Sequence, residues 1–241
     1  MVNVVVVASR KGGVGKSTIA YELATVLDAV LLDLEWDGGA VSTMWGYRHE
    51  DRSTDALMSA LEHDRTPRVL KGFRKPRLVP GSPDLVDAGL GSQEWADRID
   101  RWSQEWGSEW VVIDTHPGAS EPVHGAMSVA NVVLSPTGLR TNDLNGTEQL
   151  VREMADYSLV LVPNMVPRVP PAPELRRLQG IVAGTPVRVG PPIPYVSKIG
   201  TRKRRMAMTA EEPTPKAFQS AVQSYRALGD YVTAYVKEGQ K

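Results

Sequence analysis

The stretch ASRKGGVGKST, residues 8–18, places three glycines, two lysines and a Ser-Thr pair within a few residues of each other. Gly12, Gly13 and Gly15 let a backbone curl so that its N–H groups, those of Val14 and Thr18 among them, converge on an anion. Lys16 then reaches the outer phosphates of a phosphate chain, and the Ser17 hydroxyl offers an oxygen to Mg2+. A helix starting here adds the positive end of its dipole at the same place. The common form of such a loop, G-x-x-x-x-G-K-[ST], requires a glycine five residues before Gly15. This chain has Arg10 there, followed by a second cation, Lys11. Carboxylates are the other requirement, because Mg2+ takes hard oxygen ligands, often through water. Asp33 and Glu35 lie in LLDLEWD, and Asp114 in EWVVIDTHPG. Each segment is an apolar run ending in acid, and open α/β sheets bind ligands at the carboxyl ends of their strands.

The elements that must position these groups follow from pattern. Residues 2–8 form a β-branched run suited to a buried parallel strand. Residues 17–27 predict a helix with Ile19, Leu23, Val26 and Leu27 on one face, and 30–34 a second buried strand. Strand, glycine loop, helix and strand make a βαβ unit, which requires a right-handed crossover and a parallel sheet. Further strands are predicted at 77–80, 110–114, 130–135, 158–163 and 187–193. Helices are predicted at 52–61, 93–106, 142–157 (capped by Asn142 or Asp143), from Glu174 onward, and at 216–237. The tryptophans of 93–106 repeat at helical spacing and read as core packing. The fold class is α/β: a P-loop NTPase fold, with a mostly parallel twisted central sheet and helices on both faces. One domain over residues 1–241 is expected, with the helix at 216–237 packed on it.

Composition narrows the function. The 241 residues are 41% hydrophobic and 23% charged, with a formal net charge of +0. Any contact with nucleic acid must therefore come from a local patch. There are no cysteines, which excludes disulfides, thiolate metal sites and cysteine-ligated iron–sulfur clusters. No apolar run approaches the roughly 20 residues of a membrane helix, and the apolar start lacks a basic leader. A cytoplasmic protein is expected.

KGGVGKST, with its early lysine, resembles the deviant Walker A motif of the ParA/MinD family of P-loop ATPases. The similarity runs in order through LLDLEWDGGAVST, RLVPGSPDLVDAGL, EWVVIDTHPG, LSPTGLRTNDLNGTEQL and PPIPYVSKI, from residue 2 to about residue 200. It implies ATP and Mg2+ as cofactors and a homodimer in the ATP state, in which Lys11 reaches the partner's nucleotide in the manner of an arginine finger. It further implies Lys16 on the phosphates, Ser17 with Asp33 and Asp114 around the metal, Glu35 orienting water, and Asn164 and Pro194 near the base. Three positions depart from the family pattern. Glu35 stands in place of aspartate, Trp36-Asp37 in place of proline and glutamine, and His116 within the Walker B segment, where it reads as a loop-conformation residue.

Among family members, a ParA-like partition ATPase is the expectation. Such a protein binds DNA non-specifically, associates with the nucleoid and works with a centromere-binding, ParB-type partner. Few residues precede the first strand, which matches the class without an N-terminal helix-turn-helix. The basic run Lys198, Arg202, Lys203, Arg204 and Arg205 is one candidate DNA surface, and Arg68, Lys71, Arg74, Lys75 and Arg77 form another. Alternatives are a MinD-like membrane-cycling ATPase, a ligase of the dethiobiotin synthetase type, or an ATPase positioning another cargo. The tail YRALGDYVTAYVKEGQK has few cations and is expected to pack on the domain rather than lie on lipid.

Overall fold

The computed structural model describes residues 2–37, 40–48, 56–154 and 156–239. In chain order the elements are β1 (Asn3–Val7), α1 (Lys16–Val26), β2 (Val30–Leu34), α2 (Ala40–Trp45), α3 (Ala56–Glu62), β3 (Arg77–Val79), α4 (Ser92–Glu105), β4 (Trp110–Thr115), α5 (Glu121–Ser128), β5 (Val132–Thr137), α6 (Thr141–Met154), β6 (Leu159–Pro163), α7 (Ala172–Val182), β7 (Arg188–Val189) and α8 (Gln219–Gly239). The seven strands form one sheet in the order β3-β2-β4-β1-β5-β6-β7. Every ladder in it is parallel.

Strand alternation divides the core into two layers. Val4, Val6 and Ala8 face α3 to α7, where Trp95, Ile99, Trp102, Leu144 and Leu178 are buried. Val5 and Val7 face α1 and α8, where Ile19, Leu23, Val222, Tyr225, Leu228 and Val232 are buried. The tryptophan stripe is core, as its spacing predicts. The C-terminal helix lies on α1 so closely that a Cβ on Gly229 would come within 2.6 Å of Val26.

Several boundaries differ from those expected. Residues 130–131 precede β5, because Asn131 is spent on β1: its Oδ1 accepts from the Val4 amide at 2.7 Å. Asn142 and Asp143 do not cap α6. They lie inside its first turn, which begins at Thr141. The strand expected at 187–193 shrinks to Arg188–Val189, since Pro191 and Pro192 cannot donate to a ladder. Residues 216–218 form a 3-10 turn ahead of α8. The helix predicted from residue 52 is observed from Ala56, and its first four positions lie outside the described residues. Two helices, α2 and α5, had no periodic signal. They span 6 and 8 residues, too short to show a full amphipathic repeat.

Candidate functional site

The glycine loop connects the carboxyl end of β1 to α1. Gly13 and Gly15 have φ of 76° and 90°, in the left-handed region where glycine is favoured. A side chain on Gly15 would also collide with Asn164, whose Nδ2 would lie 2.3 Å from the added Cβ. Asn164, at the end of β6, donates from Nδ2 to the Val14 carbonyl at 2.7 Å. It braces the loop from below. Ser9 Oγ donates to the Lys11 carbonyl at 2.7 Å, and the Gly118 amide to the Ser9 carbonyl at 3.0 Å. The loop is thus tied to the ends of β4 and β6.

Lys16 is buried, with 6% of its surface exposed. Burial lowers its pKa from the ordinary lysine value, and the neighbouring Asp114 and Glu35 work against that shift. Lys11 is in the opposite situation. Its Nζ donates to the Asn142 carbonyl at 2.5 Å and lies 3.7 Å from Asp143. In this single chain it rests on α6, over Gly146. Arg10 is paired with Glu153 of the same helix.

The carboxylates sit on neighbouring strands. Asp33 and Asp114 are register partners across β2 and β4, and both are fully buried. Asp33 is well partnered: Oδ1 accepts from the Glu35 amide at 3.0 Å, and Oδ2 accepts from the Ser42 amide at 3.0 Å and its hydroxyl at 2.6 Å. Among the described residues neither oxygen of Asp114 has a partner in hydrogen-bond geometry, although the Ser17 hydroxyl and Lys16 are near enough to favour its charged form. Both carboxyls are raised above the ordinary value of 3.8, chiefly by burial. For Asp114 the next cause is the charge of Asp33. A buried, unpartnered carboxylate beside a hydroxyl is an environment that a hard cation would relieve. The residues present therefore fit Mg2+ at the Ser17–Asp114 position, with Asp33 beside Asp114 on the neighbouring strand. Among the described residues no group of three or more His, Cys, Asp and Glu could hold a metal by itself.

A cavity of about 420 Å³ opens from Lys11, Gly12, Gly13 and Val14 toward Gly138–Arg140, Asn164, Met165, Pro167 and Tyr195. That volume suits a small-molecule ligand. Pro194 is bridged to Val166 below this rim; its neighbour Tyr195 lines the cavity. Sequence pattern did not single out Arg140, Met165 or Tyr195, because each acquires its place from a loop conformation rather than from spacing. Ser42 escaped because the packing of α2, rather than its spacing in the chain, brings it onto Asp33.

The two basic runs meet. The Ala207 amide donates to the Arg74 carbonyl at 2.9 Å, which sets the turn at 71–75 beside the residue two positions after Arg205. Within the run at 198–205, however, Arg202 bonds Glu211 at 2.8 Å, and Arg204 also pairs with Glu211. Lys71, Arg74, Lys198, Lys203 and Arg205 are exposed. Lys75 is engaged, its Nζ donating to the Trp45 carbonyl at 2.7 Å.

A family profile described as "ParA: NUBPL iron-transfer P-loop NTPase" matches residues 1–71. The mouse iron-sulfur cluster transfer protein NUBPL is 31% identical over 180 residues, covering 67% of this chain and 54% of the mouse protein. The chromosome-partitioning ATPase Soj of Thermus thermophilus is 28% identical over 166 residues, covering 67% of this chain and 65% of Soj. The chain thus spans about half to two thirds of the length of these relatives. Cobyrinic acid a,c-diamide synthase from Mycobacterium smegmatis, solved with a bound ATP analog and magnesium, superimposes with a TM-score of 0.74 at 20% identity, covering 99% of this chain and 97% of that one. It shares the fold. With a glycine loop of this form at the end of β1, and relatives of this kind, the chain belongs to the ParA/MinD family of P-loop NTPases.

Proposed function

We propose that this chain is a Mg-ATP-dependent dimerising ATPase that binds DNA non-specifically and drives DNA segregation with a centromere-binding, ParB-type partner. The observation that carries this reading is Lys11. It is an exposed second loop lysine held only by surface contacts to its own α6, and therefore free to exchange them for a phosphate of a second copy. Soj supports the partition role by similarity. The iron–sulfur relatives do not support a cluster role here, because the 241 residues contain no cysteine to ligate one.

Bound ATP with Mg2+ would supply the transferable phosphoryl group and a neutralising positive charge. The chain's own residues do the rest. The amides of Gly12, Gly13, Val14, Gly15 and Thr18 converge on the phosphates, and Lys16 neutralises their charge from within the fold. Ser17 and Asp114 offer oxygens to the metal; Asp33 holds α2 through Ser42. Glu35 orients the attacking water. Asn164 supports the loop at the base side of the cavity, with Pro194 on the strand-like segment behind it. Residues 1–241 act as one P-loop domain.

Lys71, Arg74, Lys198, Lys203 and Arg205 form the DNA surface, with Arg202 and Arg204 shaping it through Glu211. Dimerisation doubles this surface. Because counterion release scales with the phosphates neutralised, DNA affinity then depends steeply on nucleotide state. The protein acts in the cytoplasm, on the nucleoid. Among the described residues no helix is long and apolar enough to cross a membrane, and α8 spends its apolar face on α1 and the sheet.

Fluorescence anisotropy of a random-sequence duplex, titrated with Mg-ATP or Mg-ADP at two salt concentrations, tests the reading. Tight, salt-sensitive binding in ATP alone is expected. Binding in neither state would reject the DNA role.

A further inference from the structure

The loops that leave β2 and β4 meet above Asp33 and Asp114. The Trp36 ring lies flat on the His116 imidazole, with centroids 3.9 Å apart and an interplanar angle of 4°. The imidazole is held at one edge and faces two carboxylates at the other. Its Nδ1 lies 2.8 Å from the Pro117 carbonyl, an acceptor, so the proton of that contact belongs to the ring. Its Nε2 lies 3.5 Å from Glu35 Oε1 and 3.5 Å from Asp37 Oδ2. Glu35 Oε1 also accepts from the Asp37 amide at 3.1 Å. Glu35 is buried, whereas Asp37 is open to solvent.

A glutamate has one more rotatable bond than an aspartate, so its carboxylate is less well placed by its backbone alone. Here that freedom is removed from outside: the Asp37 amide holds one oxygen, and the stacked imidazole closes over the same oxygen. The stack also joins the two loops whose carboxylates face the nucleotide loop. Trp36 covers one face of the imidazole, and Pro117 holds its far edge, so the ring cannot swing away without breaking both contacts. Precise placement of a reacting partner is worth orders of magnitude in rate, and small displacements are costly.

We infer that Trp36 and His116 form a latch that holds Glu35 in position for hydrolysis, making His116 a positioning residue. The inference rests on the nucleotide-hydrolysing reading above, and it stands on the geometry of the stack.

The test uses the full chain and the variants His116→Ala, Trp36→Ala and Trp36→Phe. Steady-state ATP turnover, equilibrium affinity for a fluorescent ATP analogue, and tryptophan emission of the nucleotide-free protein are measured for each. The latch predicts that His116→Ala and Trp36→Ala lower kcat by about tenfold or more while affinity stays within about twofold. Trp36→Phe keeps an aromatic face on the imidazole and retains most of the turnover. Without nucleotide, the Trp36 contribution to emission, obtained by subtracting the Trp36→Phe spectrum, should rise in His116→Ala as the stacked ring no longer quenches it. Normal turnover in His116→Ala would overturn the latch, and so would a fall in affinity that matches the fall in turnover. Emission unchanged by His116→Ala would overturn the stack itself. A wild-type protein that binds no ATP would reject the nucleotide reading, and the latch with it, whereas the nucleotide-free emission would still decide whether the stack exists.

Discussion

Lys11 and Lys16 stand five positions apart in one loop, yet the fold treats them in opposite ways. Lys16 is 6% exposed and lies among Asp114 and Glu35. The side chain of Lys11 is 45% exposed and rests on a carbonyl and a carboxylate of α6. The first charge was desolvated when the chain folded, and the fold is arranged around it. The second keeps most of its hydration, and exposed contacts of its kind are worth about 0–1 kcal/mol. A buried cation belongs to its own site, whereas an exposed one with replaceable contacts is available to a second molecule. The same contrast separates Arg202, whose side chain is 11% exposed and bonded to Glu211, from the neighbouring Lys203, which faces solvent.

The contrast breaks most visibly at Lys16. Lys16→Ala should weaken ATP binding about 100-fold, the loss expected for a charge-assisted bond of about 3 kcal/mol. Isothermal titration with ATP and Mg2+ checks this, and near-normal affinity would remove Lys16 from the phosphate site. Lys11→Ala should leave single-chain affinity within about twofold, since its own contacts are worth little. It should abolish the ATP-dependent dimer in sedimentation velocity. A Lys11→Ala protein that still dimerises and turns over normally would end the trans-lysine reading.

Arg202 and Lys203 sharpen the contrast at a second place. Arg202→Ala should cost about 2 kcal/mol of stability, because it strips a partner from the buried Glu211 carboxylate. Urea unfolding measures it. Lys203→Ala should leave stability unchanged and reduce the salt slope of DNA binding by about 1. If the two exchange effects, the assignment of spent and available charge is reversed.

The smallest expected effect is electrostatic. Burial raises the Asp33 and Asp114 carboxyls above 3.8. Folded chains then hold their protons to higher pH than unfolded ones, so these groups favour the fold at low pH and lose that contribution as pH rises through the raised values. Nucleotide-free, metal-free protein should therefore lose stability as pH climbs from about 4 toward neutrality. Asp114→Asn should flatten that slope and raise Tm above the wild type at about pH 8, by about 2–4 °C per kcal/mol recovered. Scanning calorimetry across pH decides it; parallel slopes would mean that Asp114 is already neutralised within the fold.

Much of the site is legible in the order of residues alone. Local chemistry is enough for the glycine loop, because φ near 76° at Gly13 and 90° at Gly15 demands glycine wherever the loop stands. Buried strands announce themselves as apolar runs, so Asp33 and Asp114 at their ends read as site carboxylates from spacing alone. The absence of cysteine excludes a cysteine-ligated cluster within these 241 residues whatever the fold. Which carboxylate is open is not legible in this way. Asp33 and Asp114 are equivalent as letters, and only the packing of α2 brings Ser42 onto Asp33 and leaves Asp114 unpartnered. The Trp36–His116 stack joins residues 80 positions apart, through the pairing of β2 with β4. Glu211 likewise divides a uniform run of cations into those it pairs, Arg202 and Arg204, and those it does not. Chain order alone specifies the parts that depend on backbone conformation and burial within one segment. Tertiary structure decided which charges are desolvated or satisfied, because that depends on neighbours that chain order does not place side by side.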